Sequence, residues 1–203
     1  MIERYYWKSS AKSIHFEEKK DDVYWLKNGL YHLSLEDEEI LRTPTALLND
    51  RIMDAAQKLI CKELGAEYDY QSVLNVQRRG ATPYRAVNNE HIQLLHDGSG
   101  HWLLPFCSNG NIQICDSLKT SLNRVNRKCV YALYKNCVGE FIVSFLPVQK
   151  QTDGYNCGPF AIAFAAEILD GKSPMEACFD VTKMRRHLIQ CLKNEVLLPF
   201  PKL

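Results

Sequence analysis

The chain has 203 residues, 46% of them hydrophobic and 24% charged, with a formal net charge of +1. That length suffices for one domain with a substantial core, and the near-zero charge excludes a global field drawing the protein to nucleic acid or an anionic membrane surface. No apolar run approaches a membrane span, and the N-terminal MIERYYWKSSAKS lacks the apolar core of a signal peptide, so an intracellular setting, cytoplasmic or nuclear, is expected.

No repeat, low-complexity tract or long Gly/Ser/Pro linker interrupts the sequence. One domain over 1–203 is therefore expected, with 1–34 as an N-terminal extension packed on a core spanning 35–200. The extension carries Tyr5, Tyr6, Trp7, Phe16, Tyr24, Trp25 and Tyr31, more aromatics than a free tail carries. The charges from Glu17 to Asp22 read as a solvated turn. Ser34 caps a short acidic turn through Glu36–Glu39. Leu48, Ile52, Ala55, Ala56, Leu59 and Ile60 follow helical spacing, with Asn49 or Asp50 as cap and Gly65 as stop.

Strands follow. Gln71–Val76 is a weak candidate and His91–Leu95 a better one. Trp102–Cys107 and Ile112–Asp116 flank Ser108-Asn109-Gly110-Asn111, where Asn-Gly is the preferred centre of a type I′ hairpin turn. Phe141–Leu146 is a further apolar strand. The run Ala161–Leu169 is apolar on nearly every side, as in a helix enclosed by a core, and Asp170-Gly171 stops it. Last, Asp180 caps a helix with Val181, Met184, Leu188, Cys191 and Leu192 on one face and Lys183, Arg186 and Lys193 on the other. These elements make a mixed α+β domain.

The eight cysteines lack close pairs and C-x-x-C spacing, which fits a reducing compartment with mostly buried free thiols and no structural zinc. Cys157 is different. Gln151-Thr152-Asp153-Gly154-Tyr155-Asn156-Cys157-Gly158-Pro159 reads as a tight turn delivering a thiol to the first turn of the buried helix, where Pro159 is tolerated. The positive end of the helix dipole there favours an anionic, nucleophilic sulfur. A nucleophile needs a base. If Asn109 and Gly110 are the turn residues, Asp116 lies opposite Leu103, and His101 shares Leu103's face. His101 and Asp116 are then diagonal neighbours, about 7–8 Å apart at the backbone and within side-chain reach. An aspartate so placed can hold one imidazole tautomer and stabilise imidazolium. Neither His15, His32, His91, His96 nor His187 has such a partner. Gln151 lies across the turn from Cys157, so its carboxamide and the Cys157 N–H can serve a developing oxyanion.

In order, His101-Trp102, Cys115-Asp116-Ser117-Leu118 and Gln151-x5-Cys157-Gly158 resemble the signature of the ubiquitin-like-protein-specific cysteine proteases, the group of SUMO and adenovirus-type proteases. Leu48-Asn49-Asp50 resembles that family's upstream Leu-Asn-Asp helix start, and Phe179-Asp180 through Met184-Arg185-Arg186 its terminal helix, so the resemblance spans roughly 35–200. It implies a papain-like α+β fold of the ubiquitin-like-protease type, a central mixed sheet flanked by helices. Its site would have His101 as base, Asp116 as orienter, Cys157 as nucleophile and Gln151 in the oxyanion hole. It further implies a monomeric, cofactor-free thiol isopeptidase that cleaves after the C-terminal diglycine of ubiquitin or a ubiquitin-like modifier. Trp102, Leu47, Asn49, Asp50, Gly154 and Tyr155 would line the path of the tail. The chain departs from SUMO proteases at Leu47, where they carry tryptophan, so half of the aromatic clamp over the tail is absent. Arg186, Lys193 and the turn Gln77-Arg78-Arg79-Gly80 are candidate contacts for an acidic partner, against the plainer reading of solvated charges. Two other readings use the same residues: an acyl-CoA-dependent acetyltransferase and a non-catalytic modifier-binding module.

Overall fold

The computed structural model describes residues 23–65, 69–73, 84–88 and 90–203. The chain enters as a small antiparallel hairpin, β1 (Tyr24–Lys27) and β2 (His32–Ser34). Trp25, Leu26 and Leu30 pack on the core, and buried Tyr31 donates its hydroxyl to the Leu192 carbonyl at 2.5 Å. The described part of the extension is therefore packed on the body. Tyr5, Tyr6, Trp7, His15, Phe16 and the charges at 17–22 lie outside the described residues, as do 74–76 of the weak strand and the turn at 77–80.

Ser34 caps α1 (Leu35–Arg42) in a reciprocal box: its hydroxyl accepts from the Asp37 N–H while Asp37 accepts from the Ser34 N–H at 2.8 Å. The helix runs three residues past the expected acidic turn. Asp37 is fully buried, and it also accepts from Asn49 Nδ2 at 2.7 Å and Arg51 Nε at 3.0 Å. That joins α1 to the start of α2 (Asp50–Leu64), whose cap is Asn49 and whose stop is Gly65 at φ 99°.

The expected strand at 91–95 is two short strands, β3 (His91–Ile92) and β4 (Leu95–His96). The reason is Gln57, buried on α2. Its amide donates to the Ile92 carbonyl at 3.0 Å and accepts from the Leu94 N–H at 2.8 Å, replacing ladder partners between the two strands. Both pair antiparallel with β5 (Trp102–Ser108), which turns through Asn109 (φ 50°) and Gly110 (φ 70°) into β6 (Asn111–Cys115). The register Leu104↔Cys115 through Ser108↔Asn111 is the one the Asn-Gly turn predicts. β7 (Val143–Phe145) adds parallel to β6 and closes a mixed sheet; it is shorter than the expected 141–146, because Phe141 and Ile142 face outward.

β5 is buried on both faces. Trp102, Leu104 and Phe106 join the core beneath α4 (Cys157–Leu169), α2 and α5 (Val181–Asn194). Leu103 and Cys107 join a second core under α3 (Arg124–Tyr134). No expectation covered α3. Its buried residues Asn126, Cys129, Val130, Leu133 and Tyr134 follow helical spacing, but Asn126 is polar, which leaves the apolar part of the pattern too short to declare itself. On α5, Met184, Leu188, Cys191 and Leu192 are buried as expected. His187 is half-buried, donating Nε2 to the Leu198 carbonyl at 3.1 Å and packing edge-on to Phe200. No helix among the described residues is long and apolar enough to cross a membrane.

Candidate active site

Cys157 opens α4 and is 2% exposed. The turn before it is built by Asp153. One carboxylate oxygen accepts from the N–H groups of Tyr155 at 2.9 Å and Asn156 at 2.8 Å, and the other from Asn156 Nδ2 at 2.9 Å. These bonds lower the Asp153 pKa against the opposing effect of burial. Gly158 follows because a Cβ there would stand 3.1 Å from the Leu48 side chain, so the 46–48 strap can approach α4 closely only over glycine.

His101 lies 5% exposed at the head of β5. Its Nε2 donates to Asp116 Oδ1 at 2.9 Å, and Cys157 lies near enough to act on the charge of the ring. With Nε2 committed to the carboxylate, Nδ1 is the nitrogen left for the sulfur. Burial opposes a charged ring here, but the bonds and charges of Asp116 and Cys157 outweigh it and raise the His101 pKa to about 9. Asp116 is in turn held by the N–H groups of Leu118 at 2.8 Å and Lys119 at 2.7 Å. The hairpin register thus brings together His101 and Asp116, the pair read from the sequence.

A further carboxylate, Asp97, arranges the turn that carries His101. It accepts from the backbone N–H of Ser99 at 2.7 Å and of His101 at 3.1 Å, from the Ser99 hydroxyl, and from Lys119 Nζ. Burial is offset by Lys119 and these donors, and the carboxyl sits well below the usual carboxylate range. No motif points to Asp97. The nearest signal is the Asp-Gly-Ser-Gly run at 97–100, which reads as a turn in which an aspartate bonds its own backbone.

Gln151 is buried across from this pair. Its Oε1 accepts from the Ser117 hydroxyl at 2.6 Å, and Nε2 donates to the Asp153 carbonyl at 2.7 Å, which leaves one amide N–H uncommitted. Lys150 reaches back to the carbonyls of Asp116 at 2.7 Å and Lys119 at 3.3 Å.

The other expected residues take varied places. Trp102 is buried, its indole N–H bound to the Leu48 carbonyl at 3.0 Å and its ring edge-on to His96. Leu47 is 47% exposed between two anchored neighbours. Asn49 is occupied in capping α2 and bonding Asp37, and Asp50 is half-buried beside it. Gly154 is exposed and Tyr155 half-buried on the nucleophile's turn. Among the described residues, no cluster of His, Cys, Asp and Glu could hold a metal ion. A thiol, an imidazole and a carboxylate in this order can pass one proton between sulfur and a leaving group, the arrangement of a covalent acyl-transfer site.

No family model matches the chain. NEDD8-specific protease 1 of Schizosaccharomyces pombe is 29% identical over 124 residues, which are 55% of this chain and 30% of that protein. The chain thus matches about a third of that relative's length. Among solved structures, the C-terminal Ulp1 protease domain in complex with Smt3, the yeast ortholog of SUMO, superposes with a TM-score of 0.64 at 18% identity, covering 87% of this chain and 90% of that one. The SUMO protease Ulp1 with its catalytic cysteine oxidised to a sulfinic acid gives 0.66 at 19% identity over 88% and 91%. The Ulp1-like SUMO protease catalytic domain of Chaetomium thermophilum gives 0.57 at 17% identity over 81% and 79%. The chain has the α+β fold of the Ulp1 protease domain, and its resemblance to the ubiquitin-like-protein-specific cysteine proteases, read first from the order of its motifs, is borne out.

Proposed function

We propose that this chain is a cysteine protease that hydrolyses the bond after the C-terminal diglycine of ubiquitin or a ubiquitin-like modifier, releasing it from a lysine side chain or a precursor. The observation that carries the reading is the buried Asp116–His101 pair, its ring coupled electrostatically to Cys157 at the head of α4. The names of the curated relative and of the solved structures, proteases of NEDD8 and SUMO, support the substrate class.

In this mechanism His101 Nδ1 already holds the Cys157 proton, as an imidazolium beside the sulfur anion, and the sulfur attacks the carbonyl of the terminal glycine. The oxyanion accepts from the Cys157 backbone N–H, which a first-turn residue does not spend within its helix, and from the free N–H of Gln151. Each such donor contributes about 10²–10³ in rate. The imidazolium, held by Asp116, protonates the departing amine. Water, deprotonated by His101, then cleaves the thioester, freeing the modifier's carboxylate and restoring the thiol. Leu47 and Trp102 border the path of the glycines, and the smaller Leu47 leaves that path wider than a tryptophan would.

The test is a panel of ubiquitin, NEDD8 and SUMO probes, each ending in an electrophile in place of the scissile bond. At least one should give a covalent adduct on Cys157, and Cys157→Ala should give none while retaining binding. A folded wild-type protein that forms no adduct with any of them overturns the reading.

A further inference from the structure

Arg185 differs from its neighbours on α5. Lys183 and Arg186 are exposed, whereas Arg185 is 8% exposed. A guanidinium withdrawn from water must find partners for its N–H groups, and among the described residues no carboxylate forms an ion pair with this one. Its partners are instead the backbone carbonyls of Ile40 at 3.1 Å, Ala46 and Tyr155 at 3.4 Å, together with the Asn156 side-chain oxygen at 3.4 Å. Its charge also interacts with Asp153 and Cys157.

Beyond Ile40 on α1, these partners lie on two further pieces of chain. Ala46 begins the strap that carries Leu47, and the far end of that strap is anchored where the Leu48 carbonyl accepts the Trp102 indole. Tyr155 and Asn156 are the two residues before Cys157. Each piece has anchors of its own: the strap has Trp102 and the close packing of Leu48 on Gly158, and the turn has Asp153. Among the described residues, the side-chain hydrogen bonds of Arg185 reach both the strap and the turn, through a rigid planar fork whose reach is fixed. Beside it lies a groove of about 440 Å³ bordered by Leu41, Pro44, Tyr155 and Ile189. Through that groove, water can reach the carbonyls of a variant lacking the fork.

We propose that Arg185 is a positioning residue for the Cys157 centre: it fixes the spacing between the Leu47 strap and the turn before the nucleophile, and so sets where the thiol stands against His101. The inference rests on the reading of Cys157 as nucleophile, but not on which modifier is cleaved. A lysine keeps the charge but has one nitrogen where Arg185 uses three, Nη2 for the Ala46 and Tyr155 carbonyls, Nη1 for Ile40 and Nε for the Asn156 side chain, so it cannot hold all four partners.

The experiment measures the rate constant for alkylation of Cys157 by iodoacetamide, read by peptide mass, well below each protein's thermal midpoint. Compared are wild type, Arg185→Met, Arg185→Lys and, as control, Arg186→Met. Arg185→Met should react at least about tenfold more slowly, Arg185→Lys should recover only a small part of the loss, and Arg186→Met should match wild type. With the modifier probe that labels wild type, Arg185→Met should lose maximal labelling rate as well as apparent affinity. Alkylation of Arg185→Met at the wild-type rate, whatever its thermal midpoint, overturns the proposal. So does full recovery by Arg185→Lys, which would make charge alone sufficient; should Arg185→Met not fold, Arg185→Lys decides. Lack of any modifier adduct on wild type would overturn the protease reading and leave this alkylation series interpretable.

Discussion

Asp116→Asn isolates the carboxylate that charges the base. His101 is raised from 6.5 to about 9 although burial pulls the other way. At about 1.4 kcal/mol per unit, the net preference for imidazolium is roughly 3 kcal/mol, and the favourable contributions of Asp116 and Cys157 together exceed it. The substitution removes the charge and preserves the shape, and an amide oxygen can still accept the Leu118 and Lys119 N–H groups. The cleanest assay is the pH titration of the His101 ring by NMR in a Cys157→Ala background, with His101→Gln to assign the resonance. With Asp116 present the ring should titrate above 6.5. In the Asp116→Asn variant the attraction of the carboxylate charge is lost while burial stays, so the ring should titrate clearly lower than with Asp116 present. In the active protein the alkaline limb of probe cleavage, where imidazolium is lost, should fall from near pH 9 toward neutrality. Because the folded-state pKa is raised, the associated stability is complete below 6.5 and disappears as pH rises through about 9. A His101 titration unmoved by Asp116→Asn would refute the reasoning.

Gly158→Ala should cost about 1–3 kcal/mol, since its Cβ meets Leu48 at 3.1 Å, and should slow Cys157 alkylation by displacing the strap; thermal midpoint and alkylation rate check both. Asp97→Asn should slow alkylation severalfold by loosening the His101 turn. Because the Asp97 pKa is depressed, its contribution to stability is present above the ordinary carboxylate pKa and lost as pH falls, so acid unfolding followed by circular dichroism should become less steep in the variant. Lys202→Met should strand the carboxylate of Glu167, which is 0% exposed and bonds Lys202 at 2.7 Å, and cost about 3 kcal/mol. The thermal midpoint should drop by about 6–12 °C, with no change in Cys157 alkylation, because this pair lies at the other end of α4.

Local chemistry made much of this protein legible. Asn109-Gly110 permits positive φ at both turn positions, which fixes the β5–β6 register and with it the meeting of His101 and Asp116. Asn49, Asp180 and Gly65 mark helix ends because their side chains, or the lack of one, answer unpaired backbone groups. What escaped is decided by long-range contacts. Gln57 divides one strand into two from thirty-five residues away, and α3 is held by apolar residues concentrated in one half. Arg185 reads as one more cation in Met-Arg-Arg, and only the fold reveals that it is buried while Arg186 is not.

The site also shows why its parts can come from distant sequence and still meet closely. Three aspartates, 97, 116 and 153, each bond two or more backbone N–H groups of their own turn, and so place His101, the carboxylate that holds it, and the turn before Cys157. Short carboxylates suit the task because each can gather several converging amide donors at once. Concentrating negative charge beside a sulfur that must become an anion works against catalysis, and the cations answer it. Lys119 pairs with Asp97, Lys150 caps the carbonyls of Asp116 and Lys119, and Arg185 interacts with Asp153. The turns therefore keep their geometry while the charge of His101 remains coupled to Cys157, which is the electrostatic condition the proposed chemistry requires.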